Sequence, residues 1–491
     1  MKVRLFTAAA LVASAVPAVA ADWTQFRGTN GVSTETKLPA EWSADKNVAW
    51  KVSVPGVAWS CPIVVGDKVF VTTAIADGQP KPRGGGGGGG GPGGGGGFPG
   101  GGGGGRPGGG GGPGGGGGGP DKEYTWKVVC LDRATGKELW SEKAAVGKPK
   151  YGTHGSNTFA SETPVSDGER VYAYFAASGT VIAFDLKGKE VWKKDVGSFP
   201  SMANWGTASS PAVHDGKVFI QCDNEKESFL VAFDAKTGDE KWKEKRNEKT
   251  SWSTPYVWKT KDRTDLVVIG QQKIRGYDPA NGKTVWEITV GGGGQCNTTA
   301  VGTDDLLYVG TSMGGGGGGR PGGGGPGGGP GGGGPGGGGF GGNSLSGTLF
   351  AVKAGAKGDI TPKEGKKSSD GVAWSVAKAM PSAASPLVYD GLVYTFDRRD
   401  GTVSCYDAKT GDAKYSKERI PKAGAFWASP WAYDGKVFAI DETGTTHVLK
   451  AGSQFEVLGT NTLSKDVFWS SPAVSGGMVV IRGVDHLYGI K

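Results

Sequence analysis

Cysteine and histidine are both scarce in this 491-residue chain, and neither is arranged for chemistry. The five cysteines, Cys61, Cys130, Cys222, Cys296 and Cys405, are odd in number and lack C-x-x-C spacing, so no dense disulfide framework is expected and all five should be unpaired. His154, His214, His447 and His486 are scattered without metal-ligand spacing. No apolar run after residue 20 approaches the roughly 20 residues needed to span a bilayer, which excludes a transmembrane helix there. Charge of one sign is also missing. The formal net charge of +8 is spread through phrases such as DAKTGDEKWKEK, where acidic and basic residues alternate as on a solvated surface, and no basic stripe marks a nucleic-acid partner.

What is present begins with residues 1–20, MKVRLFTAAALVASAVPAVA. Lys2 and Arg4 precede an apolar stretch that ends in Ala18-Val19-Ala20, the small-residue pattern of a cleavable export signal. The mature chain is expected to start at Ala21 or Asp22. No cysteine follows closely, so a bacterial lipid anchor is not indicated. An exported protein, periplasmic or at the cell surface, is the expectation.

The rest of the chain repeats itself. A Ser/Thr-x-Pro-x-Val phrase recurs at Pro62, Pro164, Pro211, Pro255, Pro386, Pro430 and Pro472, with Thr299 in the corresponding place of one copy. Each is followed by an Asp-Gly turn, a small-residue strand ending in Asp, a turn glycine (Gly136, Gly188, Gly238, Gly282, Gly411) and a closing tryptophan (Trp140, Trp192, Trp242, Trp286, Trp374), for which Tyr415 substitutes once. Alternating Val, Ile, Tyr and Phe between such turns read as four short strands, and a four-stranded unit of about 40–45 residues in tandem is a propeller blade. Asp132, Asp185, Asp234, Asp278 and Asp407 recur just before the turn glycine and read as turn formers. Cys130 and Cys405 fall where sister copies carry Ala183, Ala232 or Gly276, so both read as small packing residues.

Eight copies are counted, and the last ends after three strands. Residues 47–52, including Trp50, match the missing fourth strand. The fold expected is therefore all-β: an eight-bladed β-propeller of four-stranded antiparallel blades over 47–491, closed by an N-terminal strand, with residues 21–46 as an extension before it. Two glycine tracts, 84–119 and 314–342, interrupt second-to-third-strand loops of blades 1 and 5 and are expected to be disordered.

The DxxTGKxxW phrases resemble the pyrroloquinoline-quinone-type repeat family, to which the quinone-dependent alcohol dehydrogenases and the lipoprotein propeller of the outer-membrane assembly machine belong. The opening WTQFRGTNGVS (23–33), with WSCPIVVGDKVFVTTA, is similar to exported propellers of planctomycete-type bacteria. The likeness covers residues 23–491 apart from the tracts, and it implies fold more than activity. For the dehydrogenases the resemblance implies pyrroloquinoline quinone held with calcium, an adjacent-cysteine disulfide and an Asp base. No adjacent cysteine pair exists here. The expectation is an exported, non-catalytic binding or scaffold propeller, monomeric and without cofactor, with an envelope or extracellular protein or a glycan as partner. The alternative is a pyrroloquinoline-quinone-dependent oxidoreductase.

Site candidates follow from where blades begin. Trp59, Trp252, Trp427 and Trp469 each stand three residues before a blade proline, where the chain meets the central channel; with Trp205 and Phe159 they are expected to form an aromatic collar, or else to pack between blades. Arg398, Arg399 and Arg482 lie at or after second-strand ends and could add donors. Asn157, Glu162, Asp397 and Asp441 could also approach the axis.

Overall fold

The computed structural model describes residues 22–82, 120–313 and 345–491. The expected export signal and both glycine tracts lie outside the described residues. Eight sheets follow one another around an axis, each a meander whose innermost strand comes first. Blade 3 is representative. Ala212–His214, Lys217–Cys222, Ser228–Asp234 and Glu240–Arg246 pair antiparallel in that order. Its second and third strands are buried almost throughout, because a neighbouring blade covers each face, and so they read as near-continuous apolar runs. The outer strand, EKWKEKR, faces solvent and is mostly charged.

The ring closes through its first strand. Val48–Val52 pairs antiparallel with Leu487–Ile490, so the C-terminal blade takes its outer strand from the start of the propeller and leaves no unfilled edge. One sheet departs from the expected four strands. Gly358–Asp359, from the long loop of blade 5, pairs parallel with Thr284–Thr289 of blade 4 and makes that sheet five-stranded. Burial of Ile360 and Ala356 in the blade 4–5 core holds the loop there.

The repeated Gly and Trp are two halves of one joint. The indole of Trp50 lies on the turn of blade 1, donating from Nε1 to the Arg133 carbonyl at 2.8 Å. Gly136 beneath it has φ +71°, and a Cβ there would come within 2.7 Å of the ring. Glycine is needed twice over, for the backbone and for the close approach. Trp140 on Gly188, Trp192 on Gly238, Trp242 on Gly282 and Trp374 on Gly411 repeat the arrangement at four more junctions. Across the strand from these rings sit the small residues: Cys130 opposite Trp140, Ala183 opposite Trp192, Ala232 opposite Trp242 and Cys405 opposite Tyr415. All five cysteines are buried and unpaired.

Residues 22–46 cross one face of the ring, along the turns between first and second strands. Trp23 bridges to Val64 of blade 1, Asn30 Nδ2 donates to the Gly302 carbonyl of blade 5 (2.9 Å), and Arg27 donates to the Pro386 carbonyl of blade 6 (2.5 Å). Glu35 accepts the Gly476 and Gly477 N–H groups of blade 8 at 2.9 and 2.6 Å. Blade-to-blade connections leave from the other face. The extension therefore seals one end of the channel and leaves the other open. Among the described residues no helix is long and apolar enough to cross a membrane.

Candidate functional site at the channel mouth

The residue before each blade proline turns its side chain to its neighbour around the axis. Cys61 N–H donates to Thr163 Oγ1, and the pattern continues through Ser210, Thr254, Thr299, Ser385, Ser429 and Ser471 at 2.8–3.2 Å. Ser471 N–H then returns to Cys61 Sγ at 3.1 Å and completes the circle. Each hydroxyl oxygen thus accepts one backbone N–H, which leaves its own hydrogen to donate. Sequence reading passed over this ring, although its signal was present: a small Ser, Thr or Cys stands before every blade proline.

Above the ring lies a cavity of about 700 Å³, bounded on its sealed side by Phe26 of the extension. The position three residues before each proline lines it in all eight blades, as Trp59, Ser161, Ala208, Trp252, Asn297, Ala383, Trp427 and Trp469. Three of these tryptophans come from consecutive blades, 7, 8 and 1, and stack. Trp427 and Trp469 lie 3.7 Å apart and Trp469 and Trp59 5.0 Å apart, within 16° and 18° of parallel. The Arg398 guanidinium covers the end of the stack, 4.3 Å over Trp427. Across the ring, Trp252 of blade 4 stacks on Trp205 at 5.9 Å, and His154 meets the edge of Trp205. Two aromatic walls therefore face each other across a polar gap.

The other sequence candidates lie as follows. Arg399 lines the cavity beside Arg398, and Asn157 lines it while donating to the Trp205 carbonyl at 2.8 Å. Arg482 does not reach the mouth: it is buried behind the collar, where it donates to the Ser60 and Thr72 carbonyls at 3.1 and 2.9 Å, because its strand end is covered by blade 1. Phe159 is buried against Tyr124 instead of lining the cavity. Glu162 turns away to accept the Thr207 hydroxyl (2.6 Å), and burial pushes its carboxyl up to about 7. Burial also opposes ionisation of Asp441, but hydrogen bonds from His447, Gly424 and Thr443 outweigh it and hold that carboxyl below its usual range. Asp397 caps its own turn through the Arg399 N–H at 2.8 Å.

No carboxylate lines the cavity, and among the described residues no group of three or more His, Cys, Asp or Glu converges on a point. Calcium takes six to eight oxygen ligands, usually with several carboxylates. The residues present do not fit a calcium-held quinone. Nor do they offer a thiolate, since burial raises every cysteine above its ordinary value, Cys130 and Cys405 to about 12 and Cys222 to about 11.

Residues 126–311 match the family model for outer membrane protein assembly factor BamB. No curated protein sequence matches the chain. Among solved structures the chain is similar to the quinohemoprotein alcohol dehydrogenase of Comamonas testosteroni, with 13% identity, a TM-score of 0.55, and coverage of 95% of this chain and 80% of that one. Similar too is quinohemoprotein alcohol dehydrogenase ADHIIG of Pseudomonas putida HK5, with 12% identity, a TM-score of 0.52, and coverage of 96% and 80%. BamB of Moraxella catarrhalis shares 14% identity at a TM-score of 0.48, over 74% of this chain and 92% of its own. At such identities the likeness to the two dehydrogenases is one of fold alone.

Proposed function

We propose that this β-propeller of pyrroloquinoline-quinone-type repeats is an exported, non-catalytic binding protein of the cell envelope that takes its ligand in the open mouth of the axial channel. The observation that carries this reading is the cavity itself: one-ended, with two opposed tryptophan walls and a rim of donors, and without a nucleophile, an acid–base pair or a metal donor set in its lining. Aromatic rings at such a site offer large rigid contact area. The match of residues 126–311 to an outer-membrane assembly factor supports binding as the role, and the export-like residues 1–20 support an envelope location. Similarity to quinohemoprotein dehydrogenases is what the competing oxidoreductase reading rests on, and the missing carboxylates weigh against it.

The test compares wild type with Trp427→Ala/Trp469→Ala and with Trp205→Ala for retention on purified native envelopes. Loss of retention with unchanged far-UV circular dichroism is expected. In parallel, protein titrated with pyrroloquinoline quinone and calcium is assayed for dye reduction with alcohols; stoichiometric quinone uptake with turnover would replace the binding reading by an oxidoreductase.

A further inference from the structure

The cavity is short of hydrogen-bond acceptors and negative charge, and its surplus is all of one kind. Arg398, Arg399 and His154 are the basic groups of its lining, with no Asp or Glu among them. Every other described arginine side chain donates to a carboxylate or a carbonyl. Among the described residues, Arg398 and Arg399 alone have no such acceptor, and they stand side by side. Indole donors are unspent as well. Trp427 Nε1 and Trp469 Nε1 are buried without a hydrogen-bond partner, whereas Trp59 and Trp252 donate to the Ser156 and Gly206 carbonyls at 2.9 and 2.8 Å. Below them the Ser and Thr hydroxyls of the ring accept backbone N–H groups and keep their hydrogens to give.

Positive charge also stands behind the walls. Arg482 is buried next to Ser60 and Cys61, and Arg27 is buried next to Phe26; each donates to backbone carbonyls and neither has a carboxylate partner among the described residues. A buried, unpaired guanidinium is costly, and its field extends into the neighbouring low-dielectric space. Four guanidinium groups thus surround a channel whose lining contains no acid.

Resting on the binding function proposed above, we infer that the ligand of this cavity is an acidic saccharide, whose sugar rings lie against the tryptophan walls and whose carboxylate or sulfate meets Arg398 and Arg399. The excess of donors selects it over a peptide. An acidic peptide brings a backbone N–H for nearly every carbonyl, and those donors would be desolvated here without acceptors. Sugar hydroxyls can turn to accept, and an acid group accepts only. Arginine suits that acid group because its planar fork meets a carboxylate or a sulfate through two parallel hydrogen bonds.

The test is titration by tryptophan fluorescence and calorimetry with four probe classes: acidic tetrasaccharides (galacturonate, mannuronate and a sulfated heparin fragment), neutral cellotetraose, pentaglutamate, and pyrroloquinoline quinone. At least one acidic saccharide is expected to bind, about tenfold or more tighter than cellotetraose, and to weaken as salt is raised. Arg398→Gln/Arg399→Gln should remove about that tenfold preference while leaving the melting temperature unchanged, since neither side chain holds a structural partner. Comparing the uronates with the heparin fragment separates carboxylate from sulfate as the recognised group. Cellotetraose binding as tightly as every acid, pentaglutamate or the quinone binding more tightly than any saccharide, or none of the saccharides binding would each overturn the inference. Failure of the two readings is distinguishable: envelope retention that survives the arginine double variant but is lost in the tryptophan variants would leave a binding site whose ligand is not an acid.

Discussion

The two ends of the axial channel are built from the same residue types and put to opposite uses. At the sealed end Trp23 is 2% exposed, stands over Gly28 and pairs with Val64, and Arg27 gives its donors to the Pro386 and Asn30 carbonyls. At the open end Trp205 is 38% exposed and Arg398 and Arg399 donate to nothing in the chain. Composition alone does not separate a packing tryptophan from a binding one. What separates them is whether the fold has already supplied the partner, and at the open end it has not.

Stability should register that contrast most strongly. Trp23→Ala is expected to cost about 3–5 kcal/mol by leaving a cavity between the extension and blade 1, whereas Trp205→Ala should stay within about 1 kcal/mol. Urea unfolding of the two variants measures both. Equal losses would mean that the extension is a loose cover and would break the comparison at its root.

Next in size is the buried acid behind the mouth. Burial raises the Glu162 carboxyl from its ordinary 4.5 to about 7. Between pH 4.5 and about 7 the folded chain keeps a proton that the unfolded chain has released, so this residue's contribution to stability is largest at low pH and falls as pH rises through that window. Glu162→Gln should therefore stabilise by about 1–3 kcal/mol at pH 8 and by almost nothing at pH 4.5. Melting temperatures across that range that shift in parallel would show that Glu162 is not the titrating group.

The ring of hydroxyls allows a finer test. Cys61→Ser replaces the one sulfur acceptor with an eighth hydroxyl, and stability is expected to change by no more than about 0.5 kcal/mol because Ser471 N–H still finds an acceptor. Cys61→Val leaves that N–H without one and should cost about 1–3 kcal/mol. If valine is tolerated as well as serine, the circle of hydrogen bonds is incidental to the neck.

The smallest effect expected is that of the glycine tract in blade 1. Replacing residues 84–119 with a short turn should leave the melting temperature unchanged, because pairing between the second and third strands already runs from Lys68↔Asp132 to Ile75↔Thr125 without it, and loop closure depends only weakly on length. A drop of several degrees would reveal contacts made by the tract itself.

The repeat was legible because each of its parts has a local physical cause. Asp132 and Asp234 accept the N–H groups of their own turns, Gly136 and Gly238 adopt a left-handed backbone, and tryptophan recurs at a constant spacing after them. Those features alone made a propeller, its blade count and its closing strand readable. The collar positions were readable for the same reason, since Trp59, Trp252, Trp427 and Trp469 share one offset from the blade proline. Nothing local told Arg398 from Arg482, which both follow second strands; the first meets the open channel and the second is covered by blade 1. Nor could the sequence show that residues 22–46 seal the far end, that the hydroxyls before the prolines join into a circle, or that Gly358–Asp359 joins another blade's sheet. Each of those outcomes depends on groups far apart in the chain meeting around an axis. Local sequence determined what every blade is, and only closure of the ring decided which side chains were left facing the channel without a partner.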